Sequence, residues 1–148
     1  MSEIRFDIGS LHAAYAAGVT VAAMIDAVHE RIAAADDPGI FIHLAGKAEM
    51  LAQAQKLGPF DPVAKPLWGV PFAVKDNIDV AGMPTTAACA EYAYVPDKDA
   101  TVVARLKAAG ALVVGKTNLD QFATGLVGVR TPYPIPRNAV DVSLVPGG

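Results

Sequence analysis

Lys75 closes a short apolar run, Gly69-Val70-Pro71-Phe72-Ala73-Val74, and Asp76-Asn77 follow at once. A lysine at the end of a buried strand either extends its amine to water or loses its proton. Desolvation disfavours the ammonium form, and a neutral lysine is a general base. On local chemistry alone, a surface lysine at a strand end is the simpler reading. Two roles stay open for Asp76 and Asn77. They bond the turn after the strand, which is their usual use, or they hold the lysine's surroundings in place.

A second run has the spelling of a known site. Gly110-Ala111-Leu112-Val113-Val114-Gly115-Lys116-Thr117 matches the phosphate-loop pattern G-x-x-x-x-G-K-[ST]. In a true phosphate loop a strand precedes the first glycine, and the residues between the glycines form the cradle. Here the four intervening residues read as the strand, and Gly110 reads as a helix C-cap, so nucleotide binding is disfavoured. Cys89 is the only cysteine. It has no base partner in the sequence and reads as a small buried core residue. His12, His29 and His43 lack metal-ligand spacing. His29-Glu30 fails as H-E-x-x-H because Ala33 stands where the second histidine is needed. Arg130 and Arg137 flank the Pro-rich stretch Thr131 to Pro136, which reads as a solvated loop, or else as a structural clamp or an anion contact near a pocket.

The elements that must position these residues are legible from caps and periodicity. Ser10 caps a helix over Leu11–Ala17, closed by Gly18. Thr20 caps a helix over Val21–Ala35, whose stripe is Val21, Met24, Ile25, Val28, Ile32 and Ala35. Asp36 to Gly39 ends it, and Ile40–Leu44 reads as a strand. Lys47–Leu57 is a third helix, stopped by Gly58-Pro59. Val70–Val74 is a strand. Asp99 caps a helix over Ala100–Ala109 with Val102, Val103 and Leu106 buried, and Ala111–Val114 is a strand buried on both faces. Strand, loop, helix, strand predicts parallel pairing through a crossover. Leu119–Ala123 is a short helical turn. From Gly125 onward element signals are few, which is unusual unless the loop builds a site.

Composition narrows the class. The chain has 148 residues, 53% hydrophobic and 18% charged, with net charge −3, so it folds as one domain. No basic patch invites nucleic acid. Residues 8–25 carry no Asp, Glu, Lys or Arg. Alanines dominate their apolar positions and no positive region precedes them, so they read as helices and not as a targeting or membrane-spanning segment. One cysteine excludes an internal disulfide and fits a reducing cytoplasm.

Three segments together carry a resemblance: Gly69-Val70-Pro71 through Lys75-Asp76-Asn77, then Gly115-Lys116-Thr117-Asn118, then Pro146-Gly147-Gly148. They resemble the amidase signature family, whose enzymes hydrolyse amides with a Ser–Ser–Lys triad. Thr85 to Cys89, Asn118 to Gly128 and Arg130 to Tyr133 resemble its allophanate-hydrolysing branch. The resemblance implies an α/β fold, with N-terminal helices over residues 1–60 and the first part of a mixed sheet over residues 66–148. All 148 residues would be the N-terminal part of a single amidase domain. It makes Lys75 the catalytic base and puts Thr124 and Gly125 in the substrate pocket. It implies a small-molecule amide substrate, no cofactor or metal, and a homo-oligomer for the full-length enzyme. Both triad serines are expected after Gly148, since Ser143 precedes the glycine pair and matches neither. The 148 residues alone are then expected to be inactive, with strand edges uncovered and prone to association. Two readings remain beside it. One is another amidase-signature enzyme, such as a general amidase or a tRNA-dependent amidotransferase. The other is a catalytically silent fragment.

Overall fold

The computed structural model describes residues 4–147, so Gly148, the last residue of the expected signature segment, lies outside the described residues. The described chain orders as α1 (Ile8–Ala16), α2 (Val21–Ala35), β1 (Phe41–Leu44), α3 (Lys47–Ala54), β2 (Pro71–Lys75), α4 (Thr101–Ala108) and β3 (Leu112–Thr117), with 3-10 turns at Ala90–Tyr92 and Gln121–Ala123. The strands form a mixed sheet in the order β1-β3-β2. β1 runs antiparallel to β3. At the start of β2 and β3, Leu112 donates to the carbonyl of Val70, and past their ends Asp76 donates to that of Thr117. Start therefore meets start, and these two strands are parallel, as the order of elements predicts.

Two compact units make up the chain. The first comprises Met1–Ala35, Ala45–Phe72 and Ala104–Val114. Its helices begin where side chains satisfy free N–H groups. Asp7 caps α1 by accepting from the Ser10 N–H at 2.9 Å. The helix thus starts a turn earlier than a Ser10 cap predicts. Thr20 Oγ1 accepts from Ala23 N–H at 3.1 Å and opens α2 as expected. Met24, Ile25 and Val28 form its buried stripe. Val21 and Ile32 are only half-buried, and Ala35 is exposed.

α3 stops at Ala54, short of the expected Leu57. The next N–H groups, of Lys56 and Leu57, bond three residues back, to Gln53 and Ala54, tightening the last turn to 3-10 geometry. α4 ends in a Schellman arrangement. Gly110 has φ +97°, its N–H bonds the Lys107 carbonyl, and Ala111 N–H bonds that of Leu106. A Cβ on Gly110 would also lie 2.8 Å from the Trp68 Cα. Gly110 is thus the helix cap. Val103 is buried on α4, but Val102 is exposed, contrary to expectation, because it lies about 100° around the helix from Val103.

Leu11, Met24, Met50 and Leu112 fill the core of this unit. Beside them, Trp68 meets Tyr15 and Phe60 edge-on, with the Tyr15 and Trp68 rings 5.0 Å apart, and Tyr15 and Phe60 meet at a tilt. The Tyr15 hydroxyl donates to the Gly69 carbonyl at 2.7 Å.

The second unit comprises Asp36–Leu44, Ala73–Val103 and Gly115–Gly148. Here β1 pairs Phe41 with Thr117, His43 with Lys116 and Leu44 with Gly115, with an irregularity between Phe41 and His43. A side chain at Gly115 would collide with the His43 carbonyl. Regular elements are sparse elsewhere in this unit. Residues 124–147 contain none, and several of their apolar side chains, including Leu126, Val140 and Val142, stand in solvent. No helix among the described residues is long and apolar enough to cross a membrane.

Leu112→Ala removes a buried side chain and should lower the unfolding free energy by about 2–5 kcal/mol in urea titrations. Val63→Ala, at a side chain 92% exposed, should change it by no more than about 0.5 kcal/mol.

Candidate active site

Side chains alternate along β2, and the alternation sorts its end. Val74 and Asp76 are buried, while Lys75 between them is half-buried. The Lys75 carbonyl accepts from Ile78 N–H at 2.9 Å, which turns the chain. No hydrogen bond or ion pair engages its amine among the described residues.

The deeply buried lysine is Lys116, which the sequence presents as part of a failed phosphate loop and of one resemblance segment, with no role of its own. Lys116 and Asp76 both have side chains 0% exposed, and Lys116 Nζ lies 3.0 Å from Asp76 Oδ1. That contact is ionic, without hydrogen-bond alignment at Oδ1. The amine donates instead to the Pro84 carbonyl and to Thr85 Oγ1, each at 2.9 Å. Asp76 Oδ2 accepts from the Thr86 N–H at 3.0 Å and from its hydroxyl. The Asp76 carboxylate therefore reaches past the turn to Thr86 rather than bonding the turn itself. A signal for this pair exists in the sequence. A lysine inside a strand buried on both faces demands a carboxylate, and Asp76 follows the neighbouring parallel strand. Lys116 is so enclosed that it cannot serve as a phosphate-loop lysine.

The segment held by Asp76 has unusual backbone. Ala87 and Ala88 have φ +51° and +57°, and Phe122 and Ala123 have +52° and +55°. Non-glycine residues rarely occupy this region. The two turns brace each other. Phe122 N–H donates to the Ala87 carbonyl at 2.9 Å, and Gln121 Nε2 donates to that of Ala88 at 3.0 Å. The expected helical turn near Leu119–Ala123 is thus a 3-10 turn broken at Phe122. Cys89 beside it is half-buried rather than a core residue, because its Sγ faces Glu91 Oε2 at 3.5 Å.

Asp120 is the second buried carboxylate. It accepts from the backbone N–H groups of Arg130 at 2.7 Å, Gly128 at 2.9 Å and Val127 at 3.1 Å. The bonds from Gly128 and Arg130 hold its carboxyl below the ordinary 3.8, against the opposing pull of burial. Gly125 lies against it, and a Cβ there would collide with Oδ2. Thr124 is exposed and spends its hydroxyl on the Gln121 carbonyl at 2.8 Å. Both residues expected in a pocket therefore sit in the Asp120 loop, and no hydrogen bond ties either to Lys75.

Asn118 ties the later loop down. Its Nδ2 donates to the carbonyls of Gly39 and Pro134, and its Oδ1 accepts from the Thr131 hydroxyl at 2.7 Å. Arg137 acts as the structural clamp among its expected readings. Its backbone N–H reaches Asp37 Oδ2 and its guanidinium the Asp36 carbonyl, each at 2.7 Å. Arg130 contributes its backbone N–H to Asp120. No group of three or more His, Cys, Asp or Glu side chains among the described residues could hold a metal.

Lys116→Met strands the Asp76 charge and should cost about 3–5 kcal/mol of stability. Adding Asp76→Leu should recover part of that loss in a double-mutant cycle; strictly additive losses would show that the two charges do not interact. Asp120 gives a pH test. Its folded-state value lies below the unfolded one, so its stabilisation is complete well above 3.8 and is lost as pH falls through 3.8 toward the depressed folded value. Asp120→Asn should therefore flatten the plot of unfolding free energy against pH between roughly 5 and 3. Asp7, Asp37 and Asp141 are also depressed and should keep the remaining slope.

Residues 23–148 match the family model for Amidase. Urea amidolyase of Saccharomyces cerevisiae is 55% identical over 109 residues, covering 73% of this chain and 6% of that protein. A glutamyl-tRNA(Gln) amidotransferase component of Exiguobacterium sp. is 40% identical over 155 aligned positions, covering 100% of this chain and 31% of that one. A variant of Kluyveromyces lactis allophanate hydrolase superposes with a TM-score of 0.84 at 38% identity, over 100% of this chain and 25% of its own. The chain thus spans between 6% and 31% of the length of these relatives. The mixed sheet and the match from residue 23 onward agree, and the chain belongs to the amidase signature family.

Proposed function

We propose that this chain supplies the base of a Ser–Ser–Lys amide hydrolase acting on allophanate, and that Lys75 is that base. One observation carries the assignment to this residue: Lys75 presents an amine without a partner among the described residues at the end of β2, next to the anchored Asp76. The other lysine of the motif segments, Lys116, is already committed to Asp76, Pro84 and Thr85. Support for the substrate comes from the relatives named urea amidolyase and allophanate hydrolase.

In this reading neutral Lys75 takes the proton of a bridging serine, and that serine deprotonates the nucleophilic one. The nucleophile attacks the amide carbonyl, and backbone N–H groups receive the oxyanion. The adduct collapses, breaking the C–N bond; the leaving nitrogen takes the relayed proton and water then hydrolyses the acyl-serine, so that allophanate and water end as ammonia and carbon dioxide. Both serines are expected downstream of Gly147-Gly148, so residues 1–148 contribute one triad member of three. Thr124 and Gly125 border the substrate. The setting is cytoplasmic. A second reading has its own support: the 40% identity to an amidotransferase component fits an enzyme that frees ammonia for transfer to another acceptor.

Ammonia release from allophanate tests this. Residues 1–148 alone should release none above background. A longer form carrying both serines should turn over, and Lys75→Ala should lower its rate by about 10²–10⁴-fold with the fold retained. Lys75→Arg should not restore it, because a guanidinium stays protonated. Near-normal turnover in Lys75→Arg would remove this lysine from the mechanism.

A further inference from the structure

We propose that Asp120 is a positioning residue whose carboxylate fills a built anion nest and thereby fixes the Pro146–Gly147 segment. The catalytic meaning of that segment rests on the amidase reading above, in which both triad serines follow it.

Three backbone donors make the nest. The N–H groups of Val127, Gly128 and Arg130 converge on one carboxylate within 2.7–3.1 Å. Convergent backbone N–H groups form a concavity that selects an anion. Asp120 is 1% exposed, so its charge is stabilised by these donors and not by water. Its fit is close, because Gly125 leaves no room for a Cβ against Oδ2. The bound loop then holds the next segment. Val127 offers its carbonyl to the Gly147 N–H at 3.1 Å, from the residue whose own N–H is held by Asp120. Gly128 has φ +76°, and a Cβ there would collide with the Gly147 carbonyl. Two contacts on adjacent residues therefore set where Gly147 lies. Neither involves a helix or a strand, so the carboxylate does the organising that secondary structure does elsewhere.

The nest accepts a carboxylate by shape, so a small one should replace the missing side chain. Amide hydrogen exchange followed by NMR on residues 1–148 reads this without any turnover. Asp120→Ala should speed exchange at Val127, Gly128, Arg130 and Gly147 tenfold or more, with Val113 in β3 unchanged. Formate should restore protection at all four, and chloride at equal ionic strength should not. Gly128→Ala, which leaves Asp120 in place, should deprotect Gly147 while Arg130 stays protected; it serves as the test if Asp120→Ala does not fold. Gly147 protection that survives either substitution would overturn the proposal, as would rescue by chloride equal to that by formate. A failed Lys75 result would leave this outcome untouched, because the readout contains no chemistry.

Discussion

Two opposite charges with no access to water sit at the centre of the site region. Burying either Lys116 or Asp76 alone would cost several kcal/mol, so each exists there only because of the other and of the polar groups around them. The pair has a geometric consequence. Asp76 is bonded covalently to Lys75, and neighbouring Cα atoms are about 3.8 Å apart. Whatever fixes Asp76 fixes the backbone of Lys75. Strand alternation then sends the Lys75 side chain to the other face from the buried carboxylate. An amine is thereby held at its root by an ion pair in which it takes no part.

The same carboxylate shapes the loop that follows. Ala87 and Ala88 in that loop, and Phe122 and Ala123 in the turn that braces it, are four of the five non-glycine residues with positive φ among the described residues. Such conformations cost of order 1–3 kcal/mol each and persist where their surroundings over-determine them. Here the surroundings are the bonds from Thr86 to Asp76 and the bonds from Gln121 and Phe122 to the Ala87-Ala88 carbonyls. Strain of this kind persists here because the two turns brace each other and the first is tied to a buried carboxylate.

Much of the scaffold is legible because single residues announce it. Thr20 opens α2, Gly110 closes α4, and short apolar runs mark the sheet strands. The departures have physical causes. Asp7 and Ser10 stand three residues apart, and either can cap a helix; the carboxylate wins one turn earlier. The glycines around Lys116 spell a phosphate loop and disguise it, although its burial follows from the strand it occupies. Alanines carry no mark of left-handed backbone, so the braced turns leave no trace in the sequence. Asp120 bonds residues seven to ten places ahead in a stretch without periodicity, where no local rule reaches. Lys75 stands out by resemblance alone, since its local chemistry favours an ordinary surface lysine.

The two buried carboxylates solve different problems with the same group. Asp76 compensates a cation, and Asp120 compensates the aligned dipoles of three N–H groups. Each does so inside chain that has little regular structure, where backbone polar groups still need partners. Helices and strands satisfy those groups repetitively and can be lengthened or shortened by a residue. A carboxylate satisfies them at one point and admits little displacement, because its oxygens must meet donors within about 3 Å. A site built from such points is rigid without being regular. That explains how residues 77–100 and 118–147, nearly devoid of secondary structure, can hold a defined geometry at Thr86 and Gly147. It also explains why Gly125 and Gly128 are glycines: each stands where another backbone or a carboxylate has taken the space that a Cβ would fill.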